Sequence, residues 1–414
     1  RRTHQRAAHR EHLLLASRQR AGELLAALLE PWKQRVHPLL RLRRDALGDA
    51  EGAEFEIVLH RHGGEQFAML GHQRQPGRDT VLDIEPRDVD AVEGDAALQR
   101  QHAWDLETSI DWNRRIDLTR PLVPLDEDAI LFPGASSEER LAISQIMGLL
   151  VATCIHEMEE CLIRLRRECW DEPRQRTPLS PEFRDLGELF FEEELKHSTA
   201  FRRYTEKYAA ECGIEPADLA AILPKIQGSK AEQMLRLHLR TGGQGFWWIV
   251  ALVEQEFLQL YHAFRPFRRQ LEPLYFEIHE KHFEEEARHV SFPYLMVELA
   301  RARQSAPVAL VHSRSDFAFA QIVQSLWAVM SLRRLQEVRR IAHRHPIFAA
   351  LASALPKLES VPSHRALWKL FTSAPYISSL VNPYSHPRTL QAAQSRGAIV
   401  IPFPAPEKSR LVPW

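Results

Sequence analysis

Cysteine is scarce in this chain: four in 414 residues, Cys154, Cys161, Cys169 and Cys212, with no C-x-x-C pair among them. A disulfide framework or a thiolate zinc ribbon needs more cysteines at closer spacing, so reduced thiols in a cytoplasmic compartment are expected, acting as small buried hydrophobes. Charge of one sign is lacking too, since 54 Lys+Arg against 55 Asp+Glu leave a net charge of -1. That removes the general electrostatic case for binding nucleic acid or an anionic membrane. The longest uninterrupted apolar run, Phe246–Val253, has eight residues, whereas a helix crossing a bilayer takes about 20. No membrane-spanning segment is expected. Also missing are the G-x-S-x-G elbow, the phosphate-cradling G-x-x-x-x-G-K-[ST] loop and the G-x-G-x-x-G fingerprint, which leaves hydrolase and nucleotide-cofactor chemistry without support. His156-Glu157 and His279-Glu280 begin like the zinc-protease motif, but Glu160 and Phe283 stand where its second His belongs.

The first hundred residues carry His, Arg and Gln without period. Leu13–Leu42 reads as one or two helices, and Phe55–Val58 and Phe67–Leu70 as short strands. With no Met at Arg1 and no charged-then-apolar leader, residues 1–103 are expected to be a poorly structured extension or a start-site artefact, and export is not expected. A helical domain is expected over residues 104–375, followed by a Pro-rich tail over 376–414.

Within that domain, Ser136 to Glu139 forms a capping box in front of a long helix whose apolar stripe is Met147, Leu150, Cys154, Met158, Cys161 and Leu165. Ser180-Pro181 opens a second helix that closes near Gly213. A second capping box stands at Ser229 to Glu232, and an almost wholly apolar helix runs from Phe246 to Phe264. A fourth long helix spans Pro273 to Ala302 with a kink at Pro293; further helices cover Asp316–Arg344 and Ile347–Leu370. No strand alternation interrupts residues 136–370, so helix packing on helix is the architecture that buries these stripes.

Two of the helices share one spacing: Glu193-Glu194-Leu195-Lys196-His197 and Glu285-Glu286-Ala287-Arg288-His289. Glu and His three apart lie one turn apart on one face. With 39 Glu and 20 His, Glu-x-x-His arises about twice by chance, but a second Glu in front lowers that to about 0.2. The doubled motif is therefore informative where the single one is not. A Glu-bearing helix precedes each motif helix, Glu157 lying 37 residues before Glu194 and Glu254 lying 32 before Glu286. In a four-helix bundle such a set gathers carboxylates and imidazoles about one interior point, and oxygen donors with imidazole suit a pair of iron ions better than a structural zinc.

On the first helix Glu157 continues the line of Leu150, Cys154 and Cys161, while Glu159 and Glu160 are expected farther round toward solvent. On the third, Glu254 is preferred to Glu256, with Gln255, Gln259 and His262 marking the wet side. A Glu buried without a partner costs several kcal/mol or protonates, so one inside the apolar Phe246–Phe264 helix asks for a cation. Tyr261, Trp247 and Trp248 are expected to be core residues. His282, four before Glu286 and seven before His289, stacks along the same side as an extra nitrogen ligand. The expected ligand set is Glu157, Glu194, His197, Glu254, His282, Glu286 and His289, with Glu194 and one donor Glu bridging.

Here the sequence resembles the p-aminobenzoate N-oxygenases, whose fourth helix has the form His-x-x-x-Glu-x-x-His, matched by His282, Glu286 and His289. The resemblance covers about residues 136–300; the first hundred residues have no counterpart, and residues beyond Asp316 match only in being helical. It implies an all-α, ferritin-like four-helix bundle with extra C-terminal helices. It further implies a di-iron centre that activates O2 to oxidise a small aromatic substrate at an amino nitrogen, an external electron donor and a homodimer. A di-iron carbon hydroxylase or desaturase is the nearest alternative; an iron-storage or ferroxidase bundle and a metal-free helical interaction protein are alternatives of another class.

Overall fold

The computed structural model describes residues 103–125, 136–175, 179–335, 337–354 and 382–402. The helix expected over Leu13–Leu42, the strands at Phe55–Val58 and Phe67–Leu70, and residues 376–381 and 403–414 of the expected tail lie outside them. Among the described residues every regular element is helical: α1 Ser137–Arg166, α2 Pro181–Cys212, α3 Pro216–Ile222, α4 Lys230–Arg240, α5 Gly245–Phe264, α6 Pro273–His289, α7 Phe292–Ala302, α8 Ala306–Leu335, α9 Pro346–Ala354 and α10 Pro387–Ser395.

The end signals act where local chemistry places them. Ser136 caps α1, its hydroxyl accepting from the Glu139 amide at 3.2 Å while the Glu139 carboxylate accepts from the Ser136 amide at 2.8 Å. Ser180 caps α2 with Pro181 in the first turn, and Gly213 ends it at φ 71°, a conformation costly for any residue with a Cβ. At α4 the capping box is only half made: Ser229 accepts from the Glu232 amide, but the Glu232 carboxylate reaches one residue farther back, to the Gly228 amide at 2.7 Å. The long fourth helix is two helices, α6 and α7, broken at Val290 and Ser291. Pro293 lacks the N–H that a continuous helix would need, so the break falls just before it.

Packing pairs α1 with α2, and α5 with both α6 and α8. Beyond the cap, α1 is buried almost all round from Ala142 to Ile155, because α9 covers a second face. The stretch Ser137–Gln175 is long and apolar enough to cross a membrane by length and composition, although it has no long unbroken apolar run; 72% of its most apolar window is buried inside the protein. An aromatic cluster of Trp170, Phe183, Phe190, Phe191, Trp247 and Phe292 joins α2, α5 and α7, with Phe190 and Phe292 stacked at 4.5 Å. Trp170 reaches it because position 187 is Gly: a Cβ there would lie 2.2 Å from the indole. Trp247, Trp248 and Tyr261 are core residues as expected, and the four cysteines are free, Cys212 half-buried and the others buried.

Two irregular segments complete the frame. Residues 104–125 have no helix of their own, so α1 and α6 satisfy their backbone. The Ser144 hydroxyl pairs with both the amide and the carbonyl of Val123, the Gln145 amide donates to the carbonyls of Leu118 and Arg120, and the Glu272 amide donates to the Pro121 carbonyl. At the other end, part of the expected Pro-rich tail forms α10. Pro387 sits at its first position, where a missing N–H costs nothing, and Thr389 packs under α5, bonded to Gln255 and to the Ala251 carbonyl. Gln255, expected on a wet side, is therefore buried.

Candidate metal centre

Four helices send polar side chains to one buried point. Glu159 comes from α1, Glu193, Glu194 and His197 from α2, Glu254 from α5, and His282, Glu285, Glu286 and His289 from α6; each is at most 3% exposed. Two ligand sets result: Glu159, His197, His282 and Glu286, and Glu194, His197, Glu286 and His289, the donor atoms of each set lying within 4.8 Å of one another. They share His197 and Glu286. The two oxygens of Glu286 divide between the sets. Oε1 lies 2.8 Å from His282 Nε2 and 3.0 Å from His197 Nδ1, whereas Oε2 lies 3.6 Å from His289 Nδ1. Glu159 Oε1 is 3.0 Å from His282 Nε2, Glu194 Oε1 is 3.0 Å from His289 Nδ1, and Glu254 Oε2 stands at the rim, 3.9 Å from the same nitrogen.

Of the seven expected ligands the structure gathers Glu194, His197, Glu254, His282, Glu286 and His289, and turns Glu157 away. The Glu157 carboxylate accepts from the amides of Ile226 at 2.7 Å and Gln227 at 3.2 Å, in the loop before α4. Glu159 takes the place expected for it. The sequence signal was present in the line Ala152, Ile155, Glu159, Leu162, all buried. It was obscured because α1 is buried on two faces, and the Cys154–Cys161 stripe points away from the centre. Glu256, the rejected alternative to Glu254, faces His386 at 3.6 Å, beneath the segment that leads into α10.

The leading Glu of each five-residue motif has its own task, which spacing alone did not reveal. Glu285 on α6 accepts from His197 on α2 at 2.6 Å, and Glu193 on α2 accepts from His289 on α6 at 2.7 Å. Each outer carboxylate pairs with Nε2 of the opposite helix's imidazole, which leaves Nδ1 as the nitrogen that faces the centre. Cations balance these outer groups. Lys196 lies 2.6 Å from Glu285, and Arg288 lies 3.6 Å from Glu193 and 3.8 Å from Glu285. Trp104 closes this side: its ring stacks on His197, its amide donates to Glu285 and its carbonyl accepts from Lys196. Phe190 lies edge-on to His289, while Phe201 and Phe257 flank His282.

The inner carboxylates have no Lys or Arg partner among the described residues. Burial raises Glu159 to about 8, against the pull of His282. Burial and the neighbouring Glu286 raise Glu194, and burial with Glu286 and Glu194 raises Glu254 well above the carboxylate range. Glu286 itself goes the other way: burial opposes its charge, but His282, a hydrogen bond from Glu254 and His289 hold it well below. Burial likewise opposes charge on His197, yet Glu285 and Glu286 outweigh it and lift the imidazole to about 10. Glu159 and His197 therefore carry protons at neutral pH where a cation would serve.

Whether a metal fits is answered by the atoms left over. Glu194 Oε1, Glu254 Oε2, both oxygens of Glu286, His197 Nδ1 and His289 Nδ1 are buried and make no well-aligned hydrogen bond. Such orphans each cost on the order of 1–3 kcal/mol, and a buried point surrounded by them could hold a cation. Four carboxylates from Glu159, Glu194, Glu254 and Glu286 match the charge of two divalent ions. With three imidazoles and no thiolate, the donors suit a hard to borderline transition metal. No protein-family model matches the chain, and neither a curated protein nor a solved structure does.

Proposed function

We propose that this protein is a ferritin-like di-iron oxygenase that inserts oxygen at the amino nitrogen of a small aromatic amine. The observation that carries the reading is the pair of ligand sets joined through Glu286 and His197, with His282 as a third nitrogen donor. An iron-storage centre has no use for the third imidazole, whereas a centre that oxidises an organic molecule gains from tuning by nitrogen donors. Glu159, His197 and His282 would hold one iron, Glu194 and His289 the other, with Glu286 between them and Glu254 at the rim.

Held there, reduced iron would supply the activation of dioxygen, the overall reaction being amine plus O2, two protons and two electrons from an external donor giving hydroxylamine and water. The chain's own residues prepare this in three ways. Glu285 and Glu193 orient His197 and His289. Trp104, Phe190, Phe201 and Phe257 keep bulk water from the centre. Glu254, whose Oε2 lies 3.9 Å from His289 Nδ1, would add a further carboxylate at the edge of the centre.

The test is product analysis: iron-loaded protein, a chemical reductant, O2 and a panel of aryl amines, read by mass spectrometry with 18O2. Label in a hydroxylamine, nitroso or nitro product supports the reading. Label at carbon only moves the protein to the hydroxylases, and reduction of O2 with no labelled product from any amine contradicts the reading.

A further inference from the structure

A second, separate group of metal-type side chains lies where α8 meets the turn between α4 and α5. His238 at the end of α4 and His312 and Asp316 on α8 bring three donor atoms within 4.8 Å of one another. Asp316 Oδ1 is 3.3 Å from His238 Nε2 and 2.9 Å from His312 Nδ1. With metal–donor bonds of 2.0–2.1 Å, the edge of a tetrahedral zinc site is about 3.3 Å. We propose that His238, His312 and Asp316 form a mononuclear site for a zinc-class divalent ion, with its fourth position open to solvent. This inference does not rest on the di-iron reading.

Three features single the group out from an ordinary salt bridge. First, Asp316 is fully buried, and its ionic partners among the described residues are these two imidazoles, with no Lys or Arg. A buried carboxylate so placed is costly until a cation faces it. Second, its oxygens are divided: Oδ2 accepts from the Gln244 amide at the start of α5, which turns Oδ1 toward both rings. The Ser315 hydroxyl also approaches Oδ1, at 3.3 Å, but its shorter contact is to the Val311 carbonyl at 2.9 Å. Third, the His238 ring is cradled. It stacks on Phe319 at 3.9 Å, and Cβ atoms added at Gly243 or Gly245 would fall 2.2 and 2.9 Å from its Nε2. That nitrogen accepts from the Gly245 amide at 3.1 Å, so the ring carries its proton on Nδ1 and presents Nε2 as a lone pair. An ion takes over that lone pair and replaces the proton between His312 and Asp316.

Both imidazoles keep 14% of their side-chain surface in contact with solvent, enough for an ion to enter and to retain a water. Two imidazoles, one carboxylate and an open position suit zinc, and the absence of further oxygen donors disfavours calcium or magnesium. Such an ion fastens the turn that starts α5, the helix carrying Glu254, to α8.

Untagged, chelator-treated protein is titrated with Zn(II) and with Co(II), comparing wild type with His312→Ala and His238→Ala. Wild type should bind one Zn(II) per chain more than either variant. Its Co(II) complex should show a visible band beyond those of either variant, and zinc should raise its Tm by more than it raises theirs. Glu286→Ala, which strikes the other centre, should keep this ion. Equal Zn(II) stoichiometry in wild type and His312→Ala, with circular dichroism showing the variant folded, overturns the proposal. His238→Ala provides the same comparison from α4 if His312→Ala does not fold.

Discussion

His197 and Glu285 stand on different helices, yet the imidazole Nε2 lies 2.6 Å from the carboxylate, both groups fully buried. The reverse relation joins His289 on α6 to Glu193 on α2, so each motif supplies one inward ligand pair and one outer acceptor for the opposite motif. Removing the outer charge should loosen the metal without removing a ligand. Glu285→Gln and Glu193→Gln are expected to weaken Fe(II) or Co(II) affinity by about 10–100-fold while leaving the saturating stoichiometry unchanged. Competition titration against a chelator measures this, and an unchanged affinity would mean that these carboxylates do not act on the metal.

Glu157 and Glu159 are separated by two positions and by opposite fates. Glu159→Gln should lower metal uptake by one ion per chain, and His282→Ala should do the same because both serve the first ligand set. Glu157→Ala should retain full uptake but lose the charge that receives the Ile226 and Gln227 amides, a cost of about 1–2 kcal/mol in chemical unfolding. The reverse pattern would restore Glu157 as the ligand.

That distinction marks how far the sequence was legible. Caps written in local chemistry, at Ser136, Ser180 and Gly213, appear where they were read, because the groups that satisfy a helix end lie within four residues of it. The motif helices were legible because two copies of one spacing reinforce each other. What escaped depended on distant partners. The active face of α1 was ambiguous because α9, 180 residues later, buries its other side. The burial of Gln255 waits on Thr389, and the closing role of Trp104 on Lys196 and Glu285. None of these contacts leaves a period in the sequence.

Metal uptake should release protons. Burial holds Glu159 at about 8 and raises Glu194 and Glu254, and against burial Glu285 and Glu286 lift His197 to about 10, so Glu159 and His197 carry protons at neutral pH in the metal-free protein. An ion and a proton compete for the same atoms, so apparent affinity should rise with pH and fall on acidification. Calorimetric titration in buffers of different ionisation enthalpy counts the protons. Uptake without release, or affinity independent of pH between about 6 and 8, would contradict this assignment of charge.

Gly148 lets the irregular segment 104–125 lie against α1: a Cβ there would be 2.3 Å from Leu122 Cβ. Gly148→Ala should destabilise the protein by about 1–3 kcal/mol through overpacking, although alanine favours the helix itself. Because the same segment carries Trp104 over His197, hydrogen exchange at the Trp104 amide should quicken in the variant. A neutral or stabilising effect in urea unfolding would show that the segment is not clamped there.

The central claim is that one interior point holds two metals through Glu286. Anaerobic loading of chelator-treated His312→Ala protein with Fe(II), followed by iron analysis and Mössbauer spectroscopy after exposure to O2, tests it most directly. Two irons per chain with the signature of an exchange-coupled pair are predicted, lost together in Glu286→Ala. One iron or none per chain, or two uncoupled irons that survive Glu286→Ala, would contradict it.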